Sequence, residues 1–339
     1  MSSPDKQPDS PHSPWPHRWA VVLACATFPL IWVGGLVTTT GAGMAVPDWP
    51  TTFGYNLFLY PLSEWFFGPW DLFVEHGHRL LGAAVGLVTI GLLAVLWRCE
   101  HRRWVQVFGL VLLLAVIGQG VLGGLRVRMD ERAIAMLHGC TGPLFFALTV
   151  AMAVVTSRRW REQGPHAASS AARRLTPLAA ATALVAYLQL VVGAQLRHVP
   201  VTAEATVFQA AVHLHLLLAA VVLLHVGWLA IASRRVAGDR WLAGPPLWML
   251  GLLVLQICLG AATWLVKYGP PTWVWRLAGE WDFSVPAGSP LQSLIVTGHV
   301  ATGALIVGVA ALTCLRHARA GRGATSGSVA PRGAVEAAL

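Results

Sequence analysis

Residues 76–97 read His76-Gly77-His78-Arg79-Leu80-Leu81-Gly82-Ala83-Ala84-Val85-Gly86-Leu87-Val88-Thr89-Ile90-Gly91-Leu92-Leu93-Ala94-Val95-Leu96-Trp97. No side chain from Leu80 to Trp97 is charged, and as a helix such a run reaches across a bilayer core of about 30 Å. Two histidines and an arginine stand at its head, where a span needs none of them. Similar runs recur along the 339 residues and give eight expected spans, at about 19–40, 76–97, 104–125, 134–156, 176–196, 206–232, 247–267 and 291–315. Composition agrees: 12% of the chain is charged, half of the roughly 25% usual in soluble domains, and mean hydropathy is +0.60. The expected fold is all-α and polytopic. The first span follows a polar, Pro-rich tail and is too long and Gly-rich for a cleaved signal, so it is read as a retained helix.

Charge sets the expected orientation. With the N-terminus in the cytoplasm, 17 of the 24 Lys and Arg residues fall on that side, among them Arg98, Arg102, Arg103, Arg158, Arg159, Arg161, Arg234 and Arg235. This positive-inside bias puts both termini in the cytoplasm of a multi-pass inner-membrane protein and accounts for the net charge of +9. Nucleic-acid binding would need a basic soluble domain, and the spans leave no room for one. The five cysteines (Cys25, Cys99, Cys140, Cys258, Cys314) are scattered among helices, so neither a structural disulfide nor a CxxC-type metal site is expected. The low-complexity tails, 1–18 and 316–339, read as disordered.

The chain repeats itself. A shift of 137 residues lays His78-Arg79-Leu80-Leu81-Gly82-Ala83 on His215-Leu216-Leu217-Leu218-Ala219-Ala220, and Gln119-Gly120-Val121-Leu122-Gly123-Gly124 on Gln256-Ile257-Cys258-Leu259-Gly260-Ala261. A shift of 161 lays His138-Gly139-Cys140-Thr141-Gly142 on His299-Val300-Ala301-Thr302-Gly303. The fifth span carries Gln189-Leu190-Val191-Val192-Gly193-Ala194, and the first a weaker Ile31-Trp32-Val33-Gly34-Gly35. Odd spans therefore bear a pair of small residues, ordinarily a means of close helix packing, and even spans bear a histidine. The expected architecture is two pseudo-symmetric four-helix bundles, 19–156 and 176–315, joined by a cytoplasmic linker at 157–175. Four crossings per unit make the two parallel in topology.

The repeat selects His78, His138, His215 and His299 from thirteen histidines. All lie near the start of an even span and so at similar depth, in the outer half of the membrane. One histidine in a membrane helix is ordinarily a helix contact; four matched by symmetry suit iron held between paired imidazoles across a macrocycle. A zinc site would want three or four ligands at one point, and copper would bring Met or Cys. His213 points away from His215 on a helix and is the alternative ligand on that span; His225 lies deeper. The repeats differ in charge: Glu75 and Arg79 flank His78, whereas their counterparts are Val212 and Leu216. A carboxylate three residues before a ligand shares its face, and it could equally serve as the negative cap of its helix.

Glu75-His76-Gly77-His78-Arg79 resembles the Glu-x-x-His-Arg motif of the heme A synthase family. Pro47-Asp48-Trp49-Pro50, following Gly34-Gly35 and Thr38-Thr39-Thr40-Gly41, is also similar to that family, and with the four histidines the likeness spans about 19–315. The resemblance implies an enzyme that oxidises a methyl substituent of heme O to a formyl group, making heme A for terminal oxidases. It implies substrate heme between His78 and His138, with Arg79 beside it, and a resident heme b cofactor between His215 and His299. Glu75 is the implied acid–base or cation-stabilising residue. Implied partners are heme O, the farnesyltransferase that produces it, terminal oxidase assembly, membrane lipid and a second copy of the chain. Two features depart from the family: the first outer loop lacks the cysteine pair of many bacterial members, and no Arg follows His215.

Two other classes use part of this pattern. A diheme b-type electron carrier or quinol oxidoreductase needs the four histidines but has no use for Glu75 in one repeat only. A transporter often has repeats, but no matching spans are interrupted at mid-membrane. The loop at 41–74 has no Lys or Arg and many aromatics, which suits an amphipathic cover over the first unit, and the loop at 268–290 is its expected counterpart. Arg126, Arg128, Arg197 and Lys267 end odd spans on the outer side, where they serve as interface anchors or as partners for heme propionates.

Overall fold

The computed structural model describes residues 13–162, 170–200, 202–236, 239–271 and 284–321, with single positions between 272 and 283. Residues 1–12 and 322–339 of the expected tails, the middle of the linker and much of the loop at 268–290 lie outside the described residues. Within them the chain is helical, and eight helices are long and apolar enough to cross a membrane. These are α1 (Trp15–Thr39), α2 (Trp70–Cys99), α3 (Arg103–Met129), α4 (Arg132–Thr156), α5 (Ser170–Arg197), α6 (Ala205–Val236), α7 (Arg240–Tyr268) and α8 (Pro290–Gly321). Each coincides with an expected span and most overrun it, because the polar residues that flank a span continue the helix into the interface. The chain is a multi-pass membrane protein.

Helix ends follow local chemistry. Extended Pro69 starts α2, Asp71 sits in its first turn and Arg98 in its last, each on the favoured side of the helix dipole. Arg126 and Arg128 close α3 before Asp130 adopts a left-handed conformation, and the Asp239 side chain caps α7 by accepting from Trp241 N.

α1 packs on α2, α2 on α3, α3 on α4, and α4 returns to α1; α5 to α8 close a second ring in the same order. In each ring the histidine-bearing helices therefore stand on a diagonal. The rings meet chiefly through α4 and α8, with α1 against α8 and α4 against α5. Accordingly, the apolar windows of α4 and α8 are 61% and 56% buried, and none of the other six exceeds 28%. Their outward residues, such as Leu87, Ile90, Leu114, Leu224 and Trp228, are exposed apolar groups that suit lipid.

Leu23, Leu92, Leu96, Leu112 and Met152 form the apolar core of the first ring; Val226, Leu229, Met249, Leu253 and Val307 form that of the second. At the face carrying the termini, Glu100 is buried between Arg102 and Arg161, each 2.8 Å away. On the opposite face the loop after α1 forms a short 3-10 turn (Ala42–Met44) and a short helix (Leu62–Phe67). Trp65 of that helix donates to the Phe73 carbonyl at 3.0 Å, while Phe58, Leu59, Leu62, Phe66 and Phe67 are exposed, an aromatic fringe of the kind found at membrane interfaces.

Candidate functional site

His215 on α6 and His299 on α8 face each other, with ring centroids 6.3 Å apart and planes at 71°. The gap is that of two metal–nitrogen bonds, roughly 2 Å each, plus the reach from each nitrogen to its ring centre. His78 on α2 and His138 on α4 are likewise neighbours, and Arg126 lies close to both. His213, two residues from His215, is exposed, and His225 bonds its own helix at the Val221 carbonyl. The structure thus turns inward the four histidines that the repeat singles out.

The rings lack the hydrogen bonds of ordinary core histidines. Among the described residues, Nδ1 of His78, His138 and His215 is buried without a hydrogen-bond partner, and so are Oε1 of Gln189 and Gln256. The exception is Nδ1 of His299, which donates to the Gln256 carbonyl at 3.2 Å. Gln189 Nε2 donates to the His215 carbonyl at 2.9 Å and lies 3.4 Å from Nε2 of that ring, which can only be an acceptor there. Among the described residues, no three His, Cys, Asp or Glu side chains converge on a point where they could hold a metal. Two histidines per ring and, between His215 and His299, a one-metal gap fit iron that brings its other ligands itself, as a porphyrin does.

Glu75 is buried one and a half turns into α2. That overturns the reading of it as a helix cap: α2 begins at Trp70, six residues before the expected start, so no free N–H lies next to the carboxylate. Its Oε2 instead accepts from Val46 N at 2.9 Å, and its Oε1 pairs with Arg79 at 2.8 Å. Arg79 in turn donates to the carbonyls of Asp48 (2.7 Å), Thr51 (2.9 Å) and Val46 (2.8 Å). Between them His76 is buried, 3.1 Å from the Thr52 hydroxyl and against the rings of Tyr60 and Trp65. Three residues of α2 beside His78 therefore hold the loop at 46–65 down over the first ring. Arg79, expected beside a macrocycle, clamps this loop.

Asp48 orders the turn from within, accepting from Phe53 N and Gly54 N at 2.8 Å each and from the Thr51 hydroxyl at 2.5 Å. Burial pushes its carboxyl up, but the bonds from Gly54, Thr51 and Phe53 outweigh it and leave the group below its ordinary value. The Pro47-Asp48-Trp49-Pro50 motif marks this turn in the sequence, but the partners of its backbone carbonyls have no local signature.

A cavity of about 310 Å³ opens beside the clamp, lined by Val37, Thr38, Met44, Arg126, Arg132 and Ala135, with Asp130 and Glu131 also on its wall. Arg126 donates to the Gly43 carbonyl at 3.0 Å and has no ion pair among the described residues. Arg197 crosses from α5 to α1, donating to the Gly35 carbonyl and the Thr39 hydroxyl. Burial, with Arg197, Arg126 and Arg132 nearby, brings His198 down to about 4, so it is neutral at physiological pH. This end of the molecule concentrates cations around the mouth of the first ring.

Residues 70–274 match the COX15-CtaA family model, described as cytochrome oxidase assembly protein. The heme A synthase of Rhizorhabdus wittichii is 27% identical over 301 residues, covering 73% of this chain and 85% of that protein. The heme A synthase of Shouchella clausii is 25% identical over 190 residues, 55% of this chain and 60% of its own length. That of Listeria monocytogenes is 33% identical over 141 residues, 40% of this chain and 43% of its own.

Proposed function

The chain belongs to the COX15-CtaA family of cytochrome oxidase assembly proteins, and from that membership we propose that it is a heme A synthase, an oxidoreductase converting a methyl substituent of heme O into a formyl group. The observation that carries the reading beyond family likeness is the inequality of the two histidine diagonals. His215 and His299 face each other and His78 and His138 are neighbours, but among the described residues the first diagonal alone has a buried carboxylate one turn away, under a clamped loop. The relatives above are all named heme A synthase, which leaves the diheme carrier without support.

In this reading the unit at 19–156 takes heme O between His78 and His138, and the unit at 176–315 holds heme b between His215 and His299. A heme b held there would supply one-electron redox chemistry. His78 and His138 orient the substrate macrocycle beneath the loop, and the loop excludes water from its edge. Arg126, on the cavity wall and in no ion pair among the described residues, meets a propionate. Glu75 would accept a proton released once electrons have left the substrate methyl group, or balance positive charge developing there. The positive-inside bias of the sequence supports reading the basic face as cytoplasmic and the substrate mouth as opening on the outer side of the inner membrane.

The test is extraction and identification of the hemes that purify with the protein and with His215→Ala, His299→Ala and His213→Ala variants. Heme b with heme O or heme A is expected from the parent, loss of heme b from the first two variants, and retention in His213→Ala. Heme b alone in the parent, with no heme O or heme A in any preparation, would overturn the synthase.

A further inference from the structure

Each of the four inward histidines rests on a glycine of the preceding helix. A Cβ added to Gly34 of α1 would lie 2.8 Å from Cε1 of His78. At Gly123 of α3 it would lie 3.3 Å from Cε1 of His138, and at Gly193 of α5 and Gly260 of α7 3.0 Å from those of His215 and His299. No other described glycine of these helices meets a histidine: a Cβ on Gly82, Gly86, Gly118, Gly120, Gly227 or Gly251 meets nothing within 4 Å, and one on Gly35, Gly91, Gly109, Gly124 or Gly308 meets a different side chain. The contact recurs on every odd–even helix pair.

The backbone explains what such a glycine can do. In an α-helix the carbonyl of residue i accepts from the N–H of residue i+4, and the side chain at i+4 covers the carbonyl's second lone pair. Where i+4 is glycine, that lone pair is open to a neighbouring helix. Gln256 stands four residues before Gly260, and its carbonyl is the one that accepts from Nδ1 of His299. Leu30 and Gln119 stand four before Gly34 and Gly123, and their carbonyls face the rings of His78 and His138. Among the described residues, Nδ1 of those rings has nothing else to bond, and Nδ1 of His215 is buried without a partner while Gln189, four before Gly193, lies against that ring through its side-chain amide. A carbonyl only accepts, so a ring held this way carries its proton on Nδ1 and keeps the Nε2 lone pair free.

We propose that Gly34, Gly123, Gly193 and Gly260 are positioning residues, each opening its helix so that the next helix's histidine docks Nδ1–H on a backbone carbonyl and offers Nε2 to heme iron. The inference rests on the heme-ligand reading of the four histidines. It gives these glycines a task besides helix packing: they set the tautomer and rotation of the ligands, as carbonyl partners of metal-bound histidines generally do. A helix prefers Ala to Gly, so damage from Gly→Ala must come from the ring that the new methyl displaces.

The experiment compares heme b retention and the low-spin spectrum per bound heme in the full-length holo-protein, together with heme O turnover. Gly193→Ala and Gly260→Ala are expected to weaken heme b retention by about 10- to 100-fold and to change the spectrum of the heme that remains. Gly34→Ala and Gly123→Ala should leave the heme b spectrum unchanged and raise the KM for heme O, more at Gly34, where the approach is closer. Gly227→Ala and Gly251→Ala should match the parent throughout. Because the spectrum is read per bound heme, reduced yield of a variant does not mimic the effect. Parent-like retention and spectra in both Gly193→Ala and Gly260→Ala, with heme b lost from His215→Ala and His299→Ala, overturn the proposal alone. Heme b retained in those two histidine variants overturns the ligand reading and this proposal with it.

Discussion

Among the described residues Glu75 is hydrogen-bonded to two groups, the Val46 N–H and the Arg79 guanidinium, and both belong to the loop clamp. Its carboxylate can therefore act on the substrate directly or only through the loop. Oxidising a methyl group removes protons as well as electrons, and a carboxylate positioned for this typically contributes about 100- to 10,000-fold in rate. Glu75→Gln keeps an acceptor for Val46 and removes the charge. Expected is a folded protein with resident heme b and bound heme O, in which heme A formed per heme b falls within that range. Arg79→Gln, which loosens the loop but leaves the carboxylate, should cost turnover much less. Equal losses in the two variants would reduce Glu75 to a loop anchor.

Among the elements, α4 and α8 join the two rings. Phe146 of α4 packs beside Phe28 of α1, with centroids 6.1 Å apart, and a Cβ on Gly308 of α8 would lie 2.8 Å from its ring. Glycine is required there because the helices approach closely and lipid provides no hydrophobic drive to bring them together. Gly308→Leu overfills the contact, which typically costs about 1–3 kcal/mol. The expected outcome is a lower melting temperature in detergent with an unchanged heme b spectrum, since Gly308 lies more than two turns beyond His299. A melting curve like that of the parent would mean that the rings are held together elsewhere.

For the whole molecule, eight crossings return the chain to its starting side, and the basic residues collect at that face. Reporter fusions at residues 100, 160 and 238 should report cytoplasm, and fusions within 41–60 the outer side. The reverse pattern would invert the placing of the substrate mouth. Glu100, buried between Arg102 and Arg161, ties the α2–α3 connection to the segment after α4 on this same face.

The number of helices and their approximate ends were legible in the sequence, and so was which four of the thirteen histidines the helices turn inward. Hydrophobic length and internal repetition are properties of the chain itself and need no partner to be read. The work of the small residues and of Glu75 was not. Gly34 and its three counterparts look like packing glycines until a neighbouring helix brings a ring to 2.8–3.3 Å from the missing Cβ. Glu75 looks like a cap until α2 is seen to start at Trp70 and the Val46 N–H to arrive from a loop 29 residues earlier. His215 and His213 differ by two positions in sequence, and only the packing of α6 against α5 and α7 turns one toward His299 and leaves the other exposed. What a residue is comes from the chain, but which lone pair or ring it meets depends on how helices far apart in sequence cross, and that is decided by packing.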